Sequence, residues 1–212
     1  VDPEQLGALS IDDDTVHHLR RVLRLRDGET VSVTDGGGRW LLASVRLDGS
    51  SLTLDAAGEI VTEPPRTDPF TLAVAMPKGD RLDWLVQKVT ELGVDHLALV
   101  HAERSVVRWK PDRVHPQLVR LRRIADEACR QSRRVWRVAI DAPVEATTVL
   151  AGFVAAEPGG RRLESSDRSV AIGPEGGWSP DELDAARDRV SIGSNILRTE
   201  TAAVAATALC VT

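Results

Sequence analysis

The sequence predicts an α/β protein in two parts: a small β-rich module over residues 1–66, then a larger domain built on a mostly parallel sheet over residues 67–212. Three observations carry this reading. The first part holds short runs in which apolar and polar residues alternate, as they do in half-buried strands. A proline cluster, EPPRTDP at 63–69, then interrupts the chain; proline neither pairs inside a sheet nor continues a helix. Beyond it, apolar runs alternate with segments of helical periodicity, the rhythm of parallel strands joined by helical crossovers.

In the first part, Asp14 or Thr15 is placed to cap a short helix. Val16, Leu19 and Leu23 form its apolar stripe, leaving Arg20, Arg21, Arg24 and Arg26 mostly on other faces. Residues 26–29 read as a turn. Strands follow at 29–34, 40–47 and 51–54, joined by hairpins at the DGGG of 35–38 and the DGS of 48–50. VTDGGG resembles the opening of a dinucleotide-binding fingerprint, but the strand-like RWLLASV follows it where a helix is required, which excludes that reading.

In the second part a strand is expected at 70–76, then a PKGD loop with Asp80 as an N-cap. Leu82, Leu85, Val86, Val89 and Leu92 stripe a helix that Gly93 ends. A strand at 94–100 and a long helix at 111–132 come next, the helix with Leu118, Leu121, Ile124, Ala125 and Ala128 on one face. Further strands are expected at 135–140, 153–156 and 170–172. The stretch 170–206 dominates the rest. Its apolar runs Val170-Ala171-Ile172 and Ser191-Ile192 each end at a glycine, and each following loop opens a helix. Such loops present backbone N–H groups to a ligand at the carboxyl ends of strands. The spacing allows the two to sit side by side on neighbouring strands as one ligand site; the alternative is two ordinary strand-to-helix turns.

At 42% hydrophobic and 28% charged residues, the composition suits a soluble protein that needs no disulfide or metal staple. No apolar run approaches about 18 residues, so no membrane span is expected, and there is no secretory signal. The chain opens at Val1, so a few preceding residues are expected. Cys129 and Cys210 lie in apolar helical contexts without CxxC spacing and read as buried thiols of a cytoplasmic protein. With a net charge of −5, nucleic-acid binding requires a local patch. Arg120, Arg123, Arg130 and Arg134 share the helix face opposite the apolar stripe, flanked by Arg122, Arg133 and Arg137, and the N-terminal arginines form a second group. Each is either a solvated face or a phosphate-binding strip, which guanidinium geometry suits. There is no Walker loop, HExxH, GxSxG or Cys/His metal spacing, and the five histidines have no ligand-like partners in sequence.

Ser179, Pro180 and Glu182 read as N-cap, first-turn proline and capping-box partner. Gly173, Gly176 and Gly177 allow close ligand approach. Glu175 is not needed for the helix start, so it is either a ligand contact or a turn stabiliser. In NILRTETAAVAA, Thr199 or Thr201 caps a helix that is apolar nearly all round and therefore buried. Arg198 and Glu200 at its mouth must be paired or serve a ligand.

IGPEGGWSPDEL at 172–183 followed by NILRTETAAVAA at 195–206 closely resembles the SPOUT-class methyltransferases. Within that class the chain is similar to the family that methylates ring nitrogen N3 of one uridine in bacterial 16S ribosomal RNA. HHLRRVLRLRDGE, KGDRLDWLVQKVTELGV, ERSVVRW and EACRQSRR extend the resemblance over nearly the whole chain. It implies a PUA-like RNA-binding β-barrel followed by a SPOUT α/β domain whose last segment threads a trefoil knot. It also implies S-adenosylmethionine held by Ala155, Ala156 and Glu157; by Ile172, Gly173, Pro174, Gly176 and Gly177; by Ile192 and Gly193; and by Ile196, Leu197, Thr199 and Ala202. A homodimer acting on the small ribosomal subunit follows from the same resemblance; the arginine strips then supply Arg20, Arg21, Arg24, Arg120, Arg123, Arg130, Arg133 and Arg134 as the candidate RNA contacts, in a cytoplasmic protein. Methylating N3 requires loss of the imide proton and donors for the charge that spreads to the uracil oxygens. Arg198 is the candidate donor, and Glu200 and Glu175 are the candidate bases. The chain departs from the family in lacking an N-terminal arginine-containing strand, in Ser194 where proline is expected, and in stopping within its last helix. Two other readings stay open: action on transfer RNA or another ribosomal position, and a non-catalytic RNA-binding assembly factor.

Overall fold

The computed structural model describes residues 6, 7, 9, 11, 13–21, 24–49 and 51–211, excluding the side chains of residues 13–15 and 18. They form two compact units, Val1–Arg66 with Arg134–Arg137, and Thr67–Arg133 with Val138–Thr212.

The first unit contains helix α1 (Asp13–Arg21) and strands β1 (Thr30–Thr34), β2 (Arg39–Asp48), β3 (Ser51–Ala56) and β4 (Val61–Thr62). All pairings are antiparallel, and the long β2 pairs with each of the other three. Among the described residues this is a four-stranded sheet that no pairing closes into a barrel. Alternate residues Leu41, Ala43 and Val45 of β2 join Val33, Leu52 and Leu54 in the core, against which Val16 and Leu19 of α1 pack; Leu23 lies outside the described residues. Helix α1 already includes Asp14 and Thr15, so neither is its cap.

The DGGG hairpin recruits a distant segment. Its Gly38 N–H donates to the Val135 carbonyl and the Arg137 N–H donates to the Gly36 carbonyl. Gly38 has φ +91°, and a Cβ there would come within 2.4 Å of the Trp136 ring. The expected strand at 135–140 is therefore divided: residues 135–137 belong to the first unit, and only β7 (Ala139–Ile140) joins the second sheet. Backbone hydrogen bonds to a hairpin nearly a hundred residues earlier leave no pattern in the local sequence.

The second unit is a seven-stranded parallel sheet in the order β11-β9-β10-β5-β6-β7, with β8 also paired to β6. Its strands are β5 (Thr71–Ala75), β6 (His96–His101), β7, β8 (Val144–Glu145), β9 (Val154–Arg162), β10 (Ser169–Ile172) and β11 (Asp188–Ser191). The period of two along the strands sorts side chains by size. Leu72, Val74, Val154, Val170 and Ile172 face helices α2 (Arg81–Leu92), α3 (Pro111–Ser132) and α6 (Thr199–Val211). Ala73, Ala75, Ala155 and Ala171 face the other layer, made of α4 (Ala146–Val149), the 3₁₀ turn Leu150–Gly152 and α5 (Pro180–Ala185). Small residues let these short helices approach the sheet closely.

Helix α2 buries Leu82, Leu85, Val86 and Val89 and ends at Gly93 with φ 105°. Asp80 occupies its N-cap position, but its side chain makes no capping bond. Helix α3 buries Leu118, Leu121, Ala125 and Ala128. Both cysteines are buried and neither forms a disulfide, and burial pushes the Cys210 thiol up to about 11.

Strand β9 departs most from expectation. It runs to Arg162 and carries an excursion: Arg189 pairs with Ala155, yet the next residue, Val190, pairs with Arg161. Residues 156–160 loop out between those two points. Gly160 lets the returning chain press on β11, since a Cβ there would fall 2.6 Å from the Arg189 carbonyl carbon and the Val190 nitrogen. Arg161 then clamps the base of the excursion, with two hydrogen bonds to buried Asp167 and one from Nε to Asp188. The Arg161 guanidinium holds the Asp167 carboxyl below the ordinary carboxylate range, against burial, which pushes the other way.

Two predictions follow from this clamp. Gly160→Ala forces backbone to move and should cost about 2 kcal/mol in urea denaturation, in the range of overpacking. Because Asp167 titrates lower when folded, its stabilisation is complete above about pH 4 and is lost as pH falls through the folded value. The urea midpoint of Asp167→Asn should therefore already be reduced at neutral pH and fall less steeply below pH 4 than that of the parent chain.

Candidate active site

Three loops meet at the carboxyl end of the sheet, where open α/β sheets place ligands. They are the 156–160 excursion of β9, the glycine loop 173–178 after β10, and residues 192–198 after β11. They enclose a cavity of about 560 Å³, within the range of small-molecule sites. Strand β9 lies between β10 and β11, so the two late loops do not follow adjacent strands as expected; they flank β9, whose excursion supplies the third wall.

Hydrogen bonds fix the convergence. Thr199 is the first residue of α6, and its hydroxyl donates to the Gly173 carbonyl at 3.0 Å. It therefore ties the two loops together and is not a cap, while Thr201 lies within the helix, whose first turn closes from Ala202 N–H to the Arg198 carbonyl. Ser179 and Glu182 form the expected capping box. Glu182 also accepts from the Glu103 N–H at 2.8 Å. Arg104 donates to the carbonyls of Gly176 and Trp178, bracing the glycine loop from outside. Buried Trp178 supports it from beneath: a Cβ on Gly173 would come within 3.0 Å of the indole.

The structure brings together Ala156, Glu157, Ile172, Gly173, Pro174, Glu175, Gly176, Gly177, Ile192, Gly193, Ile196, Leu197, Thr199 and Ala202 around the cavity. Ala155 is fully buried in the sheet below it and does not line it. Arg198 is exposed and Glu200 buried, and neither is in the cavity wall. Pro158, Gly159, Trp178, Ser191, Ser194 and Asn195 complete the lining. Backbone and small apolar groups make up most of this wall, which suits recognition of a flat, uncharged ring system through N–H and C=O groups.

Both predicted acids converge on Arg81, which the sequence reading passed over. Its Nη1 lies 2.9 Å from Glu175 Oε1 and 3.7 Å from Glu200 Oε2. The signal available for it was position: Arg81 follows the loop at the carboxyl end of β5, on the same edge of the sheet as the glycine loops.

The arginine strips are less uniform than expected. Arg120, Arg123, Arg130 and Arg133 are exposed on or at the end of α3, with Arg120 bonded to Asp83 and Gln117. Arg134 belongs to the first unit. Arg20 donates to the Gly49 and Ser51 carbonyls, fastening α1 to the β2–β3 hairpin, while Arg21 and Arg24 are exposed. Of the histidines, His96 pairs with Asp141 and His101 faces Glu145. Burial first, then Arg108, holds His101 below its ordinary value against the pull of Glu145. No group of three metal-ligating side chains occurs among the described residues, and no described helix is long and apolar enough to cross a membrane.

Comparison with known proteins adds identity to this geometry. Residues 63–211 match the RNA methyltransferase domain family and residues 11–54 the RNA methyltransferase PUA domain. Ribosomal RNA small subunit methyltransferase E of Mycobacterium bovis is 32% identical, covering 96% of this chain and 86% of its own. The Synechocystis protein of that name is 33% identical, covering 98% and 75%. The crystal structure of the Neisseria gonorrhoeae enzyme of the same name, bound to S-adenosyl methionine, superposes with a TM-score of 0.79 at 28% identity over 93% of this chain and 88% of that one. A Legionella pneumophila protein shares the fold, with a TM-score of 0.81 at 24% identity over 94% and 89%. The chain has an N-terminal PUA-like domain and a parallel-sheet methyltransferase domain, and it belongs to the ribosomal RNA small subunit methyltransferase E family.

Proposed function

We propose that this chain binds S-adenosylmethionine in the three-loop cavity and methylates N3 of one uridine in 16S ribosomal RNA of the small ribosomal subunit. The observation that carries this reading is the cavity itself: three backbone walls with Glu175 in one of them and Glu200 at the head of the helix that closes another. Its volume, its glycines and its largely uncharged wall fit the adenosine part of the cofactor. The backbone of residues 173–177 and of Leu197 holds the adenine and ribose, Thr199 keeps the loops in register, and Trp178 sets the floor. When bound, the cofactor supplies an electrophilic methyl group on a sulfonium.

The chain's own residues prepare the nucleophile. Glu200 accepts the imide proton: the N3–H bond breaks, a carboxyl O–H bond forms, and the electron pair stays on the uracil. Glu200 is preferred over Glu175 because Arg81 hydrogen-bonds Glu175 Oε1 but reaches Glu200 only at 3.7 Å, on Oε2, leaving Oε1 to accept the proton. Arg198, exposed in the loop before α6, donates to the uracil oxygen that gains charge, assisted by the N-terminal end of α6.

Three further parts belong to the reading. Residues 192–198 carry the chain from edge strand β11 back to α6, which packs against α2 and β5, and this return is the knotted passage. The protein works as a cytoplasmic homodimer, with Ile196 at the cavity rim and Trp84 and Leu209 on α2 and α6 as exposed apolar surface for the partner to cover. RNA is held by the exposed arginines of α3 and by Arg21 and Arg24.

Incubation with labelled S-adenosylmethionine and either small ribosomal subunits or naked 16S RNA, followed by nucleoside digestion, should yield 3-methyluridine from one position. Label in another nucleoside overturns the N3 assignment, and binding of the cofactor without transfer to any RNA overturns the enzymatic reading. Arg198→Ala should keep its thermal unfolding while losing at least about 10²-fold in rate, and Glu200→Gln about 10²- to 10⁴-fold. Full activity in either variant removes that residue from the chemistry.

A further inference from the structure

Arg81 has no part in the steps above, yet it is the one guanidinium within ion-pairing distance of both candidate bases among the described residues. Its Nε donates to the Lys78 carbonyl at 3.3 Å, which orients the fork at the carboxyl end of β5. Its Nη1 is shared unequally. Glu175, 43% exposed, takes the hydrogen bond at 2.9 Å, while Glu200, 10% exposed, is held only at 3.7 Å. Glu200 Oε2 is buried and makes no hydrogen bond, so what exposure the side chain has lies on its other atoms. A buried carboxylate in that state depends on its nearest cation, and removing the partner costs more than the pair gains.

We propose that Arg81 is the positioning residue of this site: it holds Glu175 and Glu200 as one unit between the glycine loop and α6, drawing Oε2 of Glu200 inward so that Oε1 faces the substrate's ring N–H. Three consequences follow. The guanidinium keeps its charge throughout, so it balances the acid pair while RNA phosphates approach. When Glu200 takes up the imide proton, Arg81 stays paired with Glu175 and the glycine loop does not lose its tether. The geometry also links α2 to the substrate step without Arg81 touching the cavity, whose lining excludes it. This inference rests on the methyl-transfer reading and on Glu200 as the acceptor.

The test is a double-mutant cycle on the full chain, with Arg81→Gln, Arg81→Lys, Glu200→Gln and the Arg81→Gln/Glu200→Gln pair. Displacing a catalytic group by an ångström costs on the order of 10²-fold. Arg81→Gln should therefore lower kcat by about that factor, with the calorimetric affinity for S-adenosylmethionine changed less than about threefold, and Arg81→Lys should recover part of the loss. In the Glu200→Gln background the same change should cost less than about threefold, because the group it positions is gone. A second readout needs no turnover. Arg81→Gln should lower the melting temperature by roughly 3 °C, and adding Glu200→Gln should restore it by removing the stranded carboxylate. Undiminished kcat in Arg81→Gln, an equal loss in the Glu200→Gln background, or a melting temperature that Glu200→Gln does not restore each overturns the role of Arg81. A parent enzyme that binds cofactor but methylates no RNA overturns the methyl-transfer reading instead, and the thermal cycle then still decides whether Arg81 and Glu200 are coupled.

Discussion

The hydrogen bond from the Thr199 hydroxyl to the Gly173 carbonyl is the constraint on which the cavity depends. It joins the start of the last helix to the first residue of the glycine loop, so two segments separated by a whole helix and strand share one wall. The bond is possible because neither partner has a competing use. Gly173 is past the end of β10 and has left the ladder, and Thr199 already sits inside α6, whose first turn closes from Ala202 to Arg198. Around this point, Arg104 pulls on the outer carbonyls of the glycine loop and Trp178 fills the space beneath Gly173. The wall is thus anchored from outside, and its inner face remains available.

Charge is distributed on the same plan. The cavity wall is mostly backbone and small apolar groups, with Glu157 on the β9 excursion, and Arg81, Glu175 and Glu200 form a compact ionic group on the side of the glycine loop. The other strong ionic cluster, Arg161 with Asp167 and Asp188, lies at the base of the β9 excursion and serves geometry. There the Arg161 fork bonds a buried carboxylate bidentately, while Arg161 itself and Asp188 stay partly exposed to screening solvent. The two clusters thus sit at different places, one at the base of the excursion and the other where the glycine loop meets the start of α6.

Much of this was legible in the sequence because it is local. The stripe of Leu82, Leu85, Val86 and Val89, the terminating Gly93, the full length of α3 and the Ser179–Glu182 capping box are all set by neighbours within a few residues. The glycine loops could be read as a ligand site because of the particular residues they carry, Glu175, Arg198 and Glu200, which the turns themselves do not require. What could not be read is long-range. The attachment of residues 134–137 to the first unit depends on backbone groups of a distant hairpin, and the excursion of β9 depends on Gly160 meeting β11. Arg81 and Arg104 look, in sequence, like any charged residue beside a helix or a turn; only packing shows what they hold.

The position of the cavity along the chain has a consequence for biogenesis. The central strands β5 and β6 and helices α2 and α3 come first and can pack on one another early, but every cavity wall lies between residues 156 and 202. The closing element, α6, is the last described helix and must settle against α2, made more than a hundred residues before it. Contacts of such sequence separation form slowly. A nascent chain can therefore hold most of its core while having no competence for the methyl donor. Acquisition of that ligand waits on α6, and it marks completion of this domain more stringently than secondary structure or compactness would.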